Sequence, residues 1–303
     1  MPTVSVVIPT YNAARYVEAA VDSVLGQTFR DVEVLVVDDG STDETEPVLA
    51  GYGNAIRYLR QENGGVSAAR NRGIQESKGR YVAFLDADDM WFPEKLARQI
   101  AALESSRQHR ACSSAHLVCT ESLTPLAVQR SVRSDSTLED LLLRGNVVGT
   151  PSSVLCDRSL FSISGSFDLS LSQCADWDMW VRLATITEFL YLNEPLVAYR
   201  QHGSNMSADP ALLERDSVRV LEKGFELPSL PHVVRRARRV AFARNYMVLA
   251  GTYFYARRYL DFARCALRAL ALDAGQLGYL MAFPGRLGRR CLNGGRPGGS
   301  GGR

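Results

Sequence analysis

The chain has 303 residues, long enough to bury a sizeable core, and reads as one large domain with an appendage. It is 46% hydrophobic and 22% charged, ordinary for a globular protein, and no apolar run is long enough to span a bilayer. The net charge of +2 is divided unevenly: residues 1–199 hold 17 Lys/Arg against 26 Asp/Glu, and residues 200–303 hold 18 against 7. A compositional boundary therefore falls near residue 200, and the two parts are expected to meet different partners. The six cysteines (112, 119, 156, 174, 265 and 291) lack Cys-x-x-Cys spacing and the four histidines are dispersed, which argues for reduced thiols and against a zinc site. With no basic-then-apolar leader before the first strand, the expected location is cytoplasmic, or peripheral at the inner face of the membrane.

Thr3 to Asn12 (Thr-Val-Ser-Val-Val-Ile-Pro-Thr-Tyr-Asn) reads as a buried strand and a turn. Its near-continuous β-branched residues imply cover on both faces, as in a parallel sheet. Val17, Ala20, Val21 and Val24 follow at helical spacing. A second apolar strand begins at Val32 and ends in Asp38 and Asp39, and a shorter one spans Ile56 to Leu59. Asn63-Gly-Gly-Val-Ser-Ala-Ala-Arg70-Asn-Arg-Gly73 is helical after its glycines, and Tyr81 to Leu85 forms the next strand. Pro93 suits the first turn of a helix that sets Leu96, Ile100 and Leu103 on one face. The pattern is βαβαβαβ, an α/β fold whose acids collect at strand ends, where open α/β sheets bind ligands. The first turn holds neither Gly-x-Gly-x-x-Gly nor a P-loop, which argues against NAD and P-loop nucleotide sites.

The organising stretch is Arg80-Tyr-Val-Ala-Phe-Leu-Asp86-Ala-Asp88-Asp89, an apolar strand ending in three carboxylates within four residues. Such acids repel one another and lose hydration unless positive charge sits among them. A hard divalent cation shared with a substrate's phosphates answers that need. An isolated Asp-x-Asp would more often be a solvated turn with a helix cap; the neighbouring motifs favour the metal.

Val-Ser-Val-Val-Ile-Pro-Thr-Tyr-Asn, Val-Val-Asp-Asp-Gly-Ser-Thr-Asp, Ala-Arg-Asn-Arg-Gly and Phe-Leu-Asp-Ala-Asp-Asp, in this order and spacing, resemble the family 2 inverting glycosyltransferases. The resemblance covers residues 3–205, about two-thirds of the chain. It implies a GT-A fold: an α/β protein with a mixed, mainly parallel sheet flanked by helices, here with a C-terminal helical appendage. Residues 1–205 would form the glycosyltransferase domain, with a nucleotide-binding half at 1–110 and an acceptor-binding half at 111–205. Pro9, Thr10, Tyr11 and Asp39 would line the nucleobase pocket, Asp39 accepting the imide N–H of uracil or thymine. Arg70 would approach the nucleotide, and Asp86 and Asp88 would hold ribose and metal, with Mg²⁺ or Mn²⁺ as the ion. For Asp38, capping the turn after its strand stands beside ligand contact as an equal reading.

Ala111 to Cys119 alternates loosely, as a strand. Ser136-Thr-Leu-Glu139 resembles a capping box opening a short helix that Gly145 ends, and Asp157 caps another that closes at Gly165. In the family, the segment matching Gly149-Thr-Pro-Ser152 approaches the acceptor or donor sugar, although Thr and Ser also serve turns structurally. Further on, Trp177, Trp180, Val181 and Ala184 share one helical face and should pack inward. Asp176 opens that helix, a common place for an N-cap. The family's Glu-Asp-Trp/Tyr-Asp motif puts the general base on its first Asp, which is Asp176 here; Ala175 stands where Glu is frequent. Asp178 reads as a helix-surface or structural residue. Pro195 to Arg200 forms the last strand and runs into Gln201-His202-Gly-Ser-Asn205-Met-Ser207, similar to the family's Tyr-Arg-x-His-x-x-Asn-x-Ser ending. That similarity implies His202 as a metal or diphosphate ligand.

From Pro210 the chain turns helical and basic, a region set at 206–292, before a glycine-rich tail, 293–303, expected to be disordered. Val233, Ala237, Val240 and Ala241 make one helical face; Tyr255, Tyr259, Phe262, Ala266 and Leu270 make another, and a helical hairpin results. The amphipathic stretch 276–292 suits peripheral contact with anionic lipid or a membrane-bound partner, and equally a solvated helix packed on the domain. No nucleic-acid module is recognisable. Taken with the resemblance, the chain reads as a metal-dependent inverting glycosyltransferase. It would move a sugar from a nucleotide-diphosphate donor, a UDP-sugar, to a hydroxyl of a glycan or glycolipid acceptor, as in cell-surface polysaccharide or glycolipid synthesis. The competing reading is a non-catalytic nucleotide-binding protein that docks a partner through its basic C-terminus.

Overall fold

A computed structural model of the chain describes residues 1–130, 135–203 and 209–282. It divides into two compact units, one of Met1–Leu141 with Asn146–Asn205 and one of Leu142–Gly145 with Met206–Arg303.

The first unit begins with β1 (Val4–Thr10), α1 (Val17–Leu25), β2 (Val32–Asp38), α2 (Thr45–Ala50), β3 (Arg57–Arg60), α3 (Val66–Glu76) and β4 (Tyr81–Phe84). It continues with β5 (Met90–Trp91), α4 (Lys95–Ser105), β6 (Ala111–Cys119), β7 (Pro125–Gln129) and β8 (Asp135–Ser136). After α5 (Leu138–Arg144) come β9 (Leu155–Asp157), α6 (Leu160–Ser164), α7 (Ala175–Leu183) and β10 (Phe189–Arg200). The strands join one sheet in the order β3-β2-β1-β4-β9-β6-β10-β5, with β7 on β6 and β8 on β10. The β1–β2, β2–β3, β1–β4 and β6–β10 ladders are parallel; β9, β7, β5 and β8 pair antiparallel.

Alternation along the central strands serves two cores. Val4, Val6 and Ile8 with Val34, Val36, Tyr81, Ala83 and Leu85 pack on α1 and α4 through Val17, Val21, Leu96 and Ile100. The opposite face carries Val7, against Gly73 of α3, and Phe84, edge-on to Phe161 and Phe167 and tilted on Trp180. Both faces are covered, which is why the strands read as continuous apolar runs. Trp177, Trp180 and Val181 are buried as their spacing predicts. Asp178 is buried as well, bonded to Arg182 one turn on at 2.8 Å, so it is a structural residue and not a surface one.

Three details differ from the sequence reading, the first being that α6 is capped at Ser159, with Asp157 ending β9 and accepting the Ser159 N–H at 2.9 Å. β10 starts at Phe189, not Pro195: the strand pairs with β6 on both sides of Pro195, which has no N–H to donate and sits between two register shifts inside the strand. The box opening α5 sits one residue later than expected: the Thr137 hydroxyl accepts the Asp140 N–H at 3.2 Å and donates to the Asp140 carboxylate at 2.9 Å.

The second unit contains α8 (Pro210–Glu226), α9 (His232–Arg236), α10 (Arg238–Tyr255), α11 (Tyr259–Leu272) and α12 (Gln276–Met281). Asp209 caps α8 by accepting the Ala211 N–H, with Pro210 in the first turn. The expected hairpin is α10 with α11, around Leu249, Ala250, Tyr253, Cys265 and Ala266. Glu214 of α8 clasps Arg264 of α11 through two 2.6 Å contacts and accepts the Tyr253 hydroxyl at 2.7 Å. The two anticipated faces are each interrupted. A break at Ala237 separates α9 from α10, so Val234 is buried and Val233 is 77% exposed. Likewise the 256–258 turn puts Tyr255 and Tyr259 on different helices, with Tyr259 exposed. Of the stretch 276–292, only α12 and Ala282 fall within the described residues, and the tail at 293–303 lies outside them. No described helix is long and apolar enough to cross a membrane.

Candidate active site

β9 runs antiparallel to both β4 and β6, so β6 and β10 point the same way as β1, β2 and β4. Their carboxyl ends open on one edge. That edge receives Pro9–Tyr11, Asp39, Asp86–Asp89, Glu121 and Arg200–His202 from segments far apart in the chain.

On the β1–β2 side, Pro9 and Thr10 are buried, Tyr11 is half exposed, and the Asp39 N–H donates to the Thr10 carbonyl at 2.9 Å. The loops after the two strands are stapled together: the Asn12 N–H donates to Ser41 Oγ, and the Asn12 side-chain Oδ1 accepts the Thr42 N–H. Asp38 is fully buried, accepts the Ser41 N–H at 2.8 Å and the Tyr58 hydroxyl at 2.5 Å, and acts as a turn cap. Asp39 accepts Gln61 Nε2 at 2.7 Å and the Gly64 and Gly65 N–H groups at 3.0 and 2.7 Å, just before α3. Gly65 has φ of +85°, a conformation that favours glycine, which lets its N–H turn onto the carboxylate. Three donors on two oxygens leave Asp39 acceptor capacity for one more.

α3 presents Ser67 and Arg70 one turn apart. Thr10 Oγ1, Ser67 Oγ and Arg70 Nε are buried without a hydrogen-bond partner among the described residues. Three unpaired buried polar atoms along one edge are costly in a folded chain, about 1–3 kcal/mol each, unless a ligand completes them. Ser67 was not singled out by the sequence; a serine in a helix has no signal of its own, and only the missing partner identifies it.

Each acid after β4 has a distinct neighbour. Arg70 pairs with Asp86 at 2.6 Å, and its guanidinium lies over the Phe167 ring. Asp88 meets His202 Nε2 at 2.9 Å. Asp89 is buried and accepts Ser152 Oγ at 2.6 Å and the Arg200 N–H at 3.0 Å, while the Asp86 N–H donates to the same Ser152 hydroxyl. Asp89 therefore pins the Thr150–Ser153 turn and the end of β10 beneath the other two acids. Burial first, and then neighbouring carboxylates, push Asp88 up and Asp89 well up from the usual carboxylate range; His202 partly offsets this at Asp88. His202 is stacked on Tyr16, whose hydroxyl donates to Glu121 at 2.6 Å, and the Arg200 guanidinium lies over the same Tyr16 ring.

Asp176 is the second residue of α7, not its N-cap, a position taken by Cys174. Its carboxylate accepts the Trp177 N–H at 2.7 Å and Asn146 Nδ2 at 2.8 Å. Burial raises its pKa to about 6, with Arg70 pulling down and Asp86 pushing up. Arg70, Asp86 and Asp176 are thus one electrostatic group. The edge is completed by Tyr199 and His116, 5.7 Å apart, on neighbouring strands. Burial holds His116 down to about 4, so it is neutral at ordinary pH. Neither was expected from sequence, since a His or Tyr in mid-strand looks the same whether it lines a site or packs a core.

Asp88 and His202 also fit a divalent ion. An imidazole nitrogen and a carboxylate oxygen 2.9 Å apart are donor types that such an ion would take alongside a substrate's phosphates. Among the described residues no group of three or more His, Cys, Asp or Glu is placed to hold a metal ion by itself, so a bound ion would draw further ligands from a substrate's phosphates.

A mostly parallel sheet flanked by helices, with acids gathered at its carboxyl edge, is the GT-A glycosyltransferase architecture, which solved structures share with this chain. The chain belongs to glycosyl transferase family 2, whose family model matches residues 5–162. It is 34% identical over 230 residues to an uncharacterized glycosyltransferase of Rickettsia prowazekii, covering 74% of this chain and 71% of that one. It is 32% identical over 218 residues, 69% of this chain and 82% of the other, to a Bacillus subtilis protein named for teichuronic acid biosynthesis. Among solved structures, S. aureus TarS superposes with a TM-score of 0.67 at 19% identity, over 90% of this chain and 83% of that chain; TarS has also been solved with UDP and with UDP-GlcNAc. Membership in this family sets aside the non-catalytic reading of the chain.

Proposed function

We propose that this chain is a metal-dependent inverting glycosyltransferase that moves a sugar from a UDP-sugar to an acceptor hydroxyl. The observation that carries the reading is Asp176, a carboxylate raised to about 6 and held beside Arg70 and Asp86 at the open sheet edge. A base with such a pKa is largely ionised at neutral pH yet basic enough to accept a proton as a hydroxyl attacks. Asn146 and the Trp177 N–H aim the carboxylate, leaving acceptor capacity for the acceptor's O–H. Attack on the anomeric carbon from the face opposite the diphosphate inverts that centre in one displacement.

Arg70 would bring positive charge to the departing diphosphate, and Thr10 and Ser67 would pair with donor atoms. Asp39, with its remaining acceptor capacity, suits an imide N–H, which uracil offers; Pro9 and Tyr11 would flank the base and Asp86 would reach the ribose. Asp88 and His202 would hold Mg²⁺ or Mn²⁺, which when bound neutralises charge on the leaving diphosphate. The B. subtilis relative, named for teichuronic acid biosynthesis, supports an acceptor among cell-surface polysaccharides.

Calorimetric titration with UDP, dTDP, GDP and CDP, with and without Mn²⁺ and repeated on Asp88→Ala, tests the donor site. Mn²⁺-dependent preference for UDP, lost in the variant, is expected. A folded protein that binds no nucleotide in either condition would sink the reading.

A further inference from the structure

Among the described residues of the second unit, one helix face has no partner. On α11, Tyr259, Leu260, Ala263, Leu267, Leu270 and Ala271 share an arc of about 120° at 100° per residue, with no charged residue among them. Tyr259 is 58%, Leu260 88% and Leu267 67% exposed. The strip runs about 18 Å at 1.5 Å per residue. The bordering arginines turn away from it: Arg264 and Arg268 reach Glu214 at 2.6 and 3.7 Å. Leu277 and Met281 on α12 are also exposed, at 53% and 73%.

The α10–α11 turn adds charge to this apolar face. Ala256 to Leu260 are five consecutive exposed residues. Arg257 stands there at φ +59°, pairing with no acid among the described residues, while Arg258 is held by Asp261 at 2.8 Å. Residues 209–282 contain 12 Lys/Arg against 7 Asp/Glu, and residues 283–303 add five Arg and no acid. A second copy laid symmetrically on this face would bring two such basic units together, whereas an anionic lipid surface complements them.

We propose that the α10–α11 turn and the outer face of α11 dock this protein on an anionic lipid surface, with Leu260 and Leu267 entering the boundary below the headgroups and Arg257 among the lipid phosphates. Tyr259 suits the interface itself, apolar along its ring and polar at its tip. The inference is independent of the donor-site assignments, because none of these residues belongs to the first unit.

The test is co-sedimentation of the full chain with vesicles of phosphatidylcholine alone and of equal parts phosphatidylcholine and phosphatidylglycerol. The wild type should partition onto the anionic vesicles. Leu260→Ser with Leu267→Ser should lower the partition coefficient by about tenfold or more, since two exposed leucines no longer gain from burial. Arg257→Ala should lower binding to anionic vesicles by about fivefold and leave binding to neutral ones unchanged. All these side chains are exposed, so circular dichroism and nucleotide binding should match wild type in every variant. Three results would overturn the proposal. One is a wild type that stays in the supernatant. Another is binding that the leucine pair leaves unchanged but ending the chain at Ala282 removes. The third is a dimer that the leucine pair dissolves, which would make a second copy the occupant.

Discussion

Asp176 is held in two incompatible interests. Burial favours its neutral form, and a proton acceptor must be charged. Its folded-state pKa lies above the unfolded value of about 3.9, so the native state binds this proton more tightly than the unfolded chain does. The stability this adds is full below the unfolded pKa and is lost as pH rises through about 6. Asp176 is half-buried, and Asp176→Asn, by removing its charge, should raise stability at pH 7.5 by about 1 kcal/mol, less than the shift alone suggests because water still reaches the group and one carboxylate acceptor is also lost. In the same variant sugar transfer should fall by about 10²–10⁴-fold, the ordinary worth of a general base. For the wild type, kcat/KM should drop as pH falls below about 6, where the carboxylate protonates. Thermal unfolding and a pH–rate profile check the two halves. A variant with wild-type transfer would place the base elsewhere.

α3 shows how one element ties the fold to the site. A Cβ on Gly73 would lie 2.2 Å from Val7 Cγ1, so this glycine allows the helix to approach β1 closely. On an open helix Gly→Ala stabilises by about 1 kcal/mol. Here Gly73→Ala should instead destabilise by about 1–3 kcal/mol, because the helix must move off the sheet. Arg70 and Ser67 ride on the same helix, so nucleotide affinity should fall together with the urea midpoint. Unchanged stability with normal nucleotide binding would show that Val7 yields freely. The helices and main strands were legible because both periods are strong here, and three motifs marked strand ends while a fourth marked α3. What stayed hidden was local geometry: the shift in β10 at Pro195, the capping Thr137 in place of Ser136, and the break at Ala237 that exposes Val233. These depend on which neighbouring backbone a residue meets.

Across the whole chain, a ligand that binds only the folded state must raise its unfolding temperature. At about 100 times its dissociation constant, the stabilisation is about 2.7 kcal/mol. UDP should produce such a shift with Mn²⁺ and a much smaller one without it, and Asp88→Ala should abolish the difference; differential scanning fluorimetry reads this directly. An equal shift with and without Mn²⁺ would remove the metal from the donor site. The charge division near residue 200 belongs to this same level, since it gives one unit its acidic sheet edge and the other its arginine-rich helices.

The sequence by itself determined the α/β class, the carboxyl-edge placement of the acids and the family, because β-branched runs, helical spacing and strand-end motifs are local in the chain. Tertiary structure decided which partner each acid takes: Arg70 for Asp86, His202 for Asp88, and Ser152 with the Arg200 N–H for Asp89. Those partners lie 16, 114, 63 and 111 positions away, so only the folded sheet brings them together. The same holds for the raised pKa of Asp176, a product of burial and of charges that reach it through space.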